Sequence, residues 1–407
     1  MPARDQSNRG LNWLNLLLAA MGGTYGAFIP VYLTAHAWTQ TRIGVLLTVA
    51  TVVSMLCQVP AGLVVDAFPR HRGRMMVAAV IAMGATPAIL AAIPRLLPAM
   101  LAVAVQAAAG SLLSPAIAAL SLAIAGRAAL SERLGLNGRY GSIGAGLGAV
   151  VLGACGTWFP DRTVFVLAAI LTVPTLLALR AIHAHDSVTA PVHEPDEGSL
   201  RAALALLKDR RLAVFAVAVV LFQTSSIAIL QLAAVQITGR LGSRAGLVIA
   251  ACLILPQVVV AWLSPWLGRA AQRFGRRPLM LAAFAMLPAR GALFALIRNP
   301  YALVPVQALE GASGSVYGMM LSLISADLTR GKGHYTLCLS LLGLAGGAGT
   351  AISTALAGWV ADGFGRTAAY WVLAAAGLIA WLLVALAMPE TRDNDVTTAP
   401  SRARITP

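Results

Sequence analysis

Glu310 and Arg290 are the residues of this chain whose chemistry fits least with their neighbours. Each lies inside a long apolar run, whereas almost all other acids fall in polar stretches or at the ends of such runs. If both runs cross a membrane as helices, Glu310 stands ~13 Å from one boundary and Arg290 ~18 Å from the other, at 1.5 Å per residue. Those depths nearly coincide in a hydrocarbon core ~30 Å thick. An ionised acid there needs a partner or a proton, and Arg290 is the candidate partner. The pair could be a fixed structural bridge, or Glu310 could exchange a proton as the pair opens and closes.

Uncharged polar residues recur in related places. Gln307 and Tyr317 share a helical stripe with Glu310. Gln223, Ser226 and Gln231 fall in the seventh apolar run, Asn15 and Tyr25 in the first, and Gln106 in the fourth. Such groups could hydrogen-bond a small-molecule substrate, or merely link helices. Arg139, in the fifth run, could attract an anion or snorkel to the membrane surface. Cys57, Cys155, Cys252 and Cys338 are scattered singly. Prolines interrupt the His and acid cluster between His183 and Glu197, so neither a metal site nor a cofactor is expected. Gly311-Ala312-Ser313-Gly314 has the Gly-x-Ser-Gly form of an intramembrane protease, but no histidine lies inside an apolar run to act as base. There is no Gly-x-x-x-x-Gly-Lys-Ser/Thr phosphate loop either. The chain does not read as an enzyme.

Membrane helices must position these residues. Of the 407 residues, 58% are hydrophobic and 11% charged. A soluble domain carries roughly 25% charged residues. Runs of spanning length fall at about 12–33, 42–65, 75–93, 98–125, 136–159, 163–182, 212–235, 245–267, 278–297, 301–327, 335–360 and 367–388. The fold class is an all-α membrane protein of twelve transmembrane helices in two six-helix bundles. Residues 1–182 form the first bundle and 212–388 the second. Between them, 183–211 reads as a linker ending in an amphipathic surface helix from Leu200 to Arg211. Residues 389–407 read as a disordered tail.

The net charge of +15 is unevenly distributed. Lys and Arg gather at the N-terminus and in every second loop, which places both termini in the cytoplasm. The surplus is therefore topology, with the lipid bilayer as partner and no nucleic acid. Arg outnumbers Lys and Ala is abundant, which suggests a bacterial inner membrane. The first run is too long for a cleavable signal, and a monomer is expected.

Two basic loops recur about half the chain apart. The first runs from Gly62 through Asp66, Arg70 and Arg74; the second runs from Gly268 through Arg273, Gly275, Arg276 and Arg277. The halves also share glycine-rich stretches, Gly141 to Gly153 and Gly343 to Gly358, each followed by an Arg-Thr pair at Arg162-Thr163 and Arg366-Thr367. Duplicated membrane halves are the usual build of a secondary transporter.

These loops resemble the signature Gly-x-x-x-Asp-(Arg)-x-Gly-(Arg/Lys)-(Arg/Lys) of the major facilitator superfamily. Gly62, Asp66 and Arg70 match in the first copy, with Pro69 in place of the second Gly. Gly268, Arg273, Gly275, Arg276 and Arg277 match in the second, with Gln272 in place of Asp. The resemblance spans essentially the whole chain. It implies a secondary active transporter that moves a small solute by alternating access, with helices one, four, seven and ten lining a central cavity. It also makes the loops a gate in which Asp66 pairs with guanidinium groups or helix N-terminal amides. The second loop should be the weaker latch. The fifth helix is similar to that of proton-coupled drug exporters, but Ala149 follows Gly148 where their motif has Pro. Proton-coupled efflux, proton-coupled uptake and a non-transporting receptor on the same fold therefore stay open.

Overall fold

The computed structural model describes residues 2–93, 95–160, 162–182, 209–242, 245–330 and 334–390. Most of the expected linker and tail lies outside the described residues.

Hydrocarbon offers the backbone no hydrogen-bond partner, so each spanning segment satisfies itself as a helix. The first bundle holds α1 (Pro2–Ala35), α2 (Gln40–Ala67) and α3 (Arg72–Ala92). Its α4 and α5 are the two arms of Leu96–Trp158, which bends at Gly126 (φ 72°). Its α6 joins Arg162–Ile170 to Thr172–Arg180. The second bundle holds α7 (Arg210–Leu241), α8 (Ala245–Phe274), α9 (Arg277–Leu296), α10 (Leu303–Val306 and Ala308–Leu328), α11 (Tyr335–Phe364) and α12 (Arg366–Ala387).

Four helices differ most from the boundaries that hydropathy suggests. Helix α8 runs on to Phe274 instead of ending near residue 267, so Gly268, Arg269 and Arg273 are helical instead of lying in a loop. Helix α1 is helical from Pro2, because Asn8 and Asn12 find a partner on α5. Helix α5 begins immediately after Gly126 instead of near residue 136, so Arg133 is helical and buried instead of lying in a loop. Helix α7 already includes Arg210 and Arg211, with the Asp209 side chain capping the Arg211 amide at 2.9 Å.

Small residues set the packing inside each bundle. A Cβ at Gly144 on α5 would collide with the Leu16 carbonyl of α1, and one at Gly349 on α11 would collide with the Val220 carbonyl of α7. The two contacts occupy equivalent places in the two bundles. Backbones meet directly there, as expected where apolar lipid provides no hydrophobic drive between helices. The Ser353 hydroxyl of α11 adds a polar bridge to α7. It accepts from the Ala228 amide at 3.1 Å and donates to the Thr224 carbonyl at 2.7 Å, the two groups of one helical turn.

Gly144→Ala should therefore destabilise the protein by about 1–3 kcal/mol, the usual range for overpacking. Gly146→Ala, where an added Cβ meets nothing within 4 Å, should leave the unfolding midpoint in detergent unchanged or slightly raised. Equal midpoints for the two variants would contradict backbone contact at Gly144.

Candidate functional site

The bundles meet mainly along two crossings, α2 with α11 and α5 with α8. Gly62 allows the first, since a Cβ there would overlap the Ser340 side chain and the Thr336 carbonyl. The Thr336 hydroxyl donates to the Gly62 carbonyl at 2.7 Å. Asp66 then takes the first turn of α11. Its Oδ1 accepts from the Thr336 amide at 3.3 Å and its Oδ2 from the Leu337 amide at 2.9 Å. No side chain of α11's own N-cap, His334, fills that place. A carboxylate from one bundle thus caps a helix of the other and meets the positive end of its dipole. Arg72 is the nearby guanidinium, 3.9 Å from Asp66 and also donating to the Val65 carbonyl at 3.0 Å. Arg70 and Arg74 are exposed.

The α5–α8 crossing repeats the geometry with different chemistry. A Cβ at Gly268 would meet the Ser131 carbonyl, but Gln272 makes only one inter-bundle bond, from its Nε2 to the Ala128 carbonyl at 2.8 Å. Gly275 (φ 88°) ends α8, and Glu390 beyond α12 accepts from the Arg276 and Arg277 amides at 2.9 and 3.0 Å. Arg276 also pairs with Asp327 at 3.2 Å, while Arg273 lies over the Phe274 ring. All these contacts lie toward the basic-loop end of the molecule.

Just inside that closed end is a cavity of about 340 Å³ between the bundles. Asn15, Asn137 and Ser142 face it from the first bundle, and Ser264, Gly314 and Ser315 from the second. One turn from Gly314 stands Glu310. Its Oε2 contacts Arg290 Nη1 and accepts from the Ser226 hydroxyl at 3.2 Å. Its Oε1 lies toward Gly314, within 3.9 Å of where a Cβ would stand. Arg290 is 2% exposed, whereas the Glu310 side chain is 30% exposed. Arg290 Nη2 donates to Gln307 Oε1 at 2.9 Å, and Nη1 to the Ser226 carbonyl and hydroxyl at 3.4 Å. The arginine is thus enclosed, while the acid, one turn from the cavity-lining Gly314, stays partly exposed. Helix α10 is interrupted at Gln307, so Glu310 sits in the first turn of its longer segment.

The other polar candidates divide. Ser226 and Gln307 belong to the Arg290 cluster. Gln223 reaches Thr350 at 3.5 Å, joining α7 to α11, and Tyr317 stacks on Phe222 with centroids 4.3 Å apart. Gln106 is half-buried on α4, Gln231 is exposed on α7, and the side chain of Tyr25 lies outside the described residues. Sequence reading missed a second cluster altogether. Arg133 on α5 is 4% exposed, and Asn137, Asn8 and Asn12 hold its guanidinium without any carboxylate. Asn15 donates to Asn137 Oδ1 at 3.2 Å, so this carboxylate-free cluster continues to the cavity wall. The signal was available as Asn8, Asn12 and Asn15 at helical spacing, with only Asn8 outside the first run that hydropathy marks.

The Major Facilitator Superfamily sequence profile matches residues 11–264 and 227–407. An uncharacterized MFS-type transporter of Mycobacterium tuberculosis, found in two strains, is 32% identical over 396 residues, covering 95% of this chain and 94% of its own. The chain belongs to the major facilitator superfamily. Its fold agrees with solved members. FucP in an outward conformation aligns with TM-score 0.71 at 15% identity, over 93% of this chain and 97% of its own. The proton:xylose symporter XylE aligns with TM-score 0.71 at 15% identity, over 96% of both chains. This superfamily member is accordingly a multi-pass membrane transporter and not an enzyme.

The unequal burial of the ion pair orders its variants. Glu310→Leu strands a buried guanidinium and should destabilise the transporter by about 3–5 kcal/mol. Arg290→Met should be milder, because the remaining carboxylate can take water from the cavity, and Arg290→Met combined with Glu310→Leu should recover most of the loss. Unfolding midpoints in detergent would test the order; a double variant no better than Glu310→Leu alone would refute it.

Proposed function

We propose that this chain is a proton-coupled secondary active transporter that moves a small solute by alternating access, with Glu310 carrying the proton and Arg290 as its counter-charge. The observation that supports this most directly is the split environment of the Glu310 carboxylate. One oxygen is held by Arg290 and Ser226, while the other points toward the cavity wall. A proton arriving at the open oxygen would neutralise the acid and release Arg290 to its remaining acceptors, Ser226 and Gln307. Deprotonation would draw the pair together again. A structural bridge would be expected to enclose both partners; here only the arginine is enclosed.

The basic loops support a cytoplasmic location for the closed end, with both termini on that side of a bacterial inner membrane. In that orientation this conformation faces outward, and the Asp66 cap on α11 holds it. Asn15, Asn137, Ser142 and Ser264 offer the solute uncharged hydrogen-bonding groups, and one monomer contains the whole cavity. Export and uptake use the same parts, and the sign of the pH gradient that drives accumulation distinguishes them. A receptor on this fold would bind the solute without moving it.

A solute found by thermal-shift screening of drugs, sugars, amino acids and organic acids provides the test in proteoliposomes. Glu310→Gln should keep counterflow of that solute and lose its accumulation under an imposed pH gradient. Gradient-driven accumulation that survives the substitution would remove Glu310 from coupling, and binding without counterflow in the native protein would favour the receptor.

Asp66→Asn removes the charge from two helix-terminal hydrogen bonds, each worth about 1.5–3 kcal/mol when the acceptor is ionised. Spin labels on the two basic loops should report a new, longer distance component in this variant. Gln272→Ala should produce a smaller shift, because it loses a single neutral bond. Unchanged distances in Asp66→Asn would leave the residue no part in holding the gate.

A further inference from the structure

A second cavity lies not between the bundles but on the outer face of the α5–α8 crossing. It measures about 580 Å³, and its lining includes Arg139, Trp262, Trp266 and Arg269. Trp262 is 81% exposed and Trp266 51%, and both arginines are exposed. On a membrane-spanning surface these side chains face lipid. Trp262, Trp266 and Arg269 follow at intervals of four and three, so they form one stripe of α8.

The helix directions explain why the arginines share a groove. Added Cβ atoms at Gly135 and Gly268 would meet Ser264 and Ser131 respectively, so α5 and α8 run antiparallel. Side chains lean toward the N-terminus of their own helix. Arg139 therefore leans toward the basic-loop end and Arg269 away from it, and the two converge although they start roughly 12 Å apart in height, at 1.5 Å per residue. Among the described residues neither is ion-paired with a carboxylate; Glu132 stands beside Gly268 but bridges to neither. Two converging cations in a medium of low dielectric repel each other unless an anion lies between them.

We propose that this groove is a binding site for an anionic phospholipid, whose phosphate lies between Arg139 and Arg269 and whose acyl chain covers Trp262 and Trp266. A free phosphate would match the charge and leave the indole faces bare; a phospholipid matches both. The arginines belong to different bundles, so a bound headgroup spans the crossing and favours the conformation closed at the basic-loop end. This inference does not depend on Glu310 as the proton carrier.

The test measures tryptophan quenching in phosphatidylcholine vesicles containing a low mole fraction of brominated lipid. Brominated phosphatidylglycerol should quench more than brominated phosphatidylcholine. The excess should disappear in Trp262→Phe/Trp266→Phe. Arg139→Gln and Arg269→Gln should each weaken the preference roughly fivefold, the equivalent of about 1 kcal/mol per basic side chain. Equal quenching by the two lipids, or an excess that survives the paired arginine substitutions, overturns the proposal. An excess lost to inorganic phosphate at constant ionic strength assigns the groove to a free anion and overturns the lipid. Native mass spectrometry of the unmodified protein gives a check that needs no variant: phosphatidylglycerol should be retained preferentially, and equal retention refutes the site.

Discussion

The structure depends on one carboxylate reaching across from one bundle to cap a helix of the other. Asp66 satisfies the Thr336 and Leu337 amides of α11, which have no cap of their own. Thr336 and Leu337 are fully buried between the bundles, where their amides would be expensive to leave unmet, so the contact is strong where a surface cap would be modest. Gly62 brings the two backbones close enough for it. The cavity lies between the bundles on the α5–α8 side, lined from α1, α5, α8 and α10. The second copy of the loop keeps the glycine but not the acid. Gln272 meets a carbonyl, so the α5–α8 crossing has steric fit without the electrostatic hold.

Each bundle also buries an arginine, and the two charges are accommodated in different ways. Arg133 is surrounded by Asn8, Asn12 and Asn137, which satisfy its donors and cannot change charge. Arg290 is held by Glu310, which can. Three amides give a fixed staple between α1 and α5. A carboxylate at the edge of a cavity gives a contact whose strength follows protonation. This contrast sharpens the division between bundles more than the loops alone do: the first holds its arginine with amides and supplies the capping acid, and the second holds its arginine with a carboxylate, the group to which the proposed mechanism gives the proton.

Much of this was legible in the sequence, and the rest was hidden for identifiable reasons. Hydropathy reveals spans because a hydrocarbon core selects long apolar runs, and it located Glu310 and Arg290 at matching depth. It misplaced the starts of α1 and α5, because Asn8, Asn12 and Arg133 look like surface residues until they are seen bonding one another. Arg72, not Arg70 or Arg74, lies by Asp66, since a short turn of 3-10 helix at Pro69–His71 rotates the intervening side chains outward. Asn137 and Ser264 escaped notice as cavity residues because which helix face meets the cavity follows from the crossings and not from polarity.

The gate and the ion pair are joined by contacts short enough to trace. Asp66 holds the first turn of α11. Farther along α11, Ser353 bridges the Thr224 carbonyl and the Ala228 amide of α7, and the Thr224 hydroxyl returns a bond to the Gly349 carbonyl. The turn so bridged contains Ser226, whose hydroxyl and carbonyl both belong to the Arg290–Glu310 cluster. A hydroxyl placed between the two groups of one helical turn is a recognised point of bending. Displacing α11 when the cap releases would pull on that turn, and moving Ser226 changes the acceptors left to Arg290 when Glu310 is protonated. In the proposed mechanism, charge at Glu310 and closure at Asp66 bias one connected element, which is what energetic coupling between two sites requires.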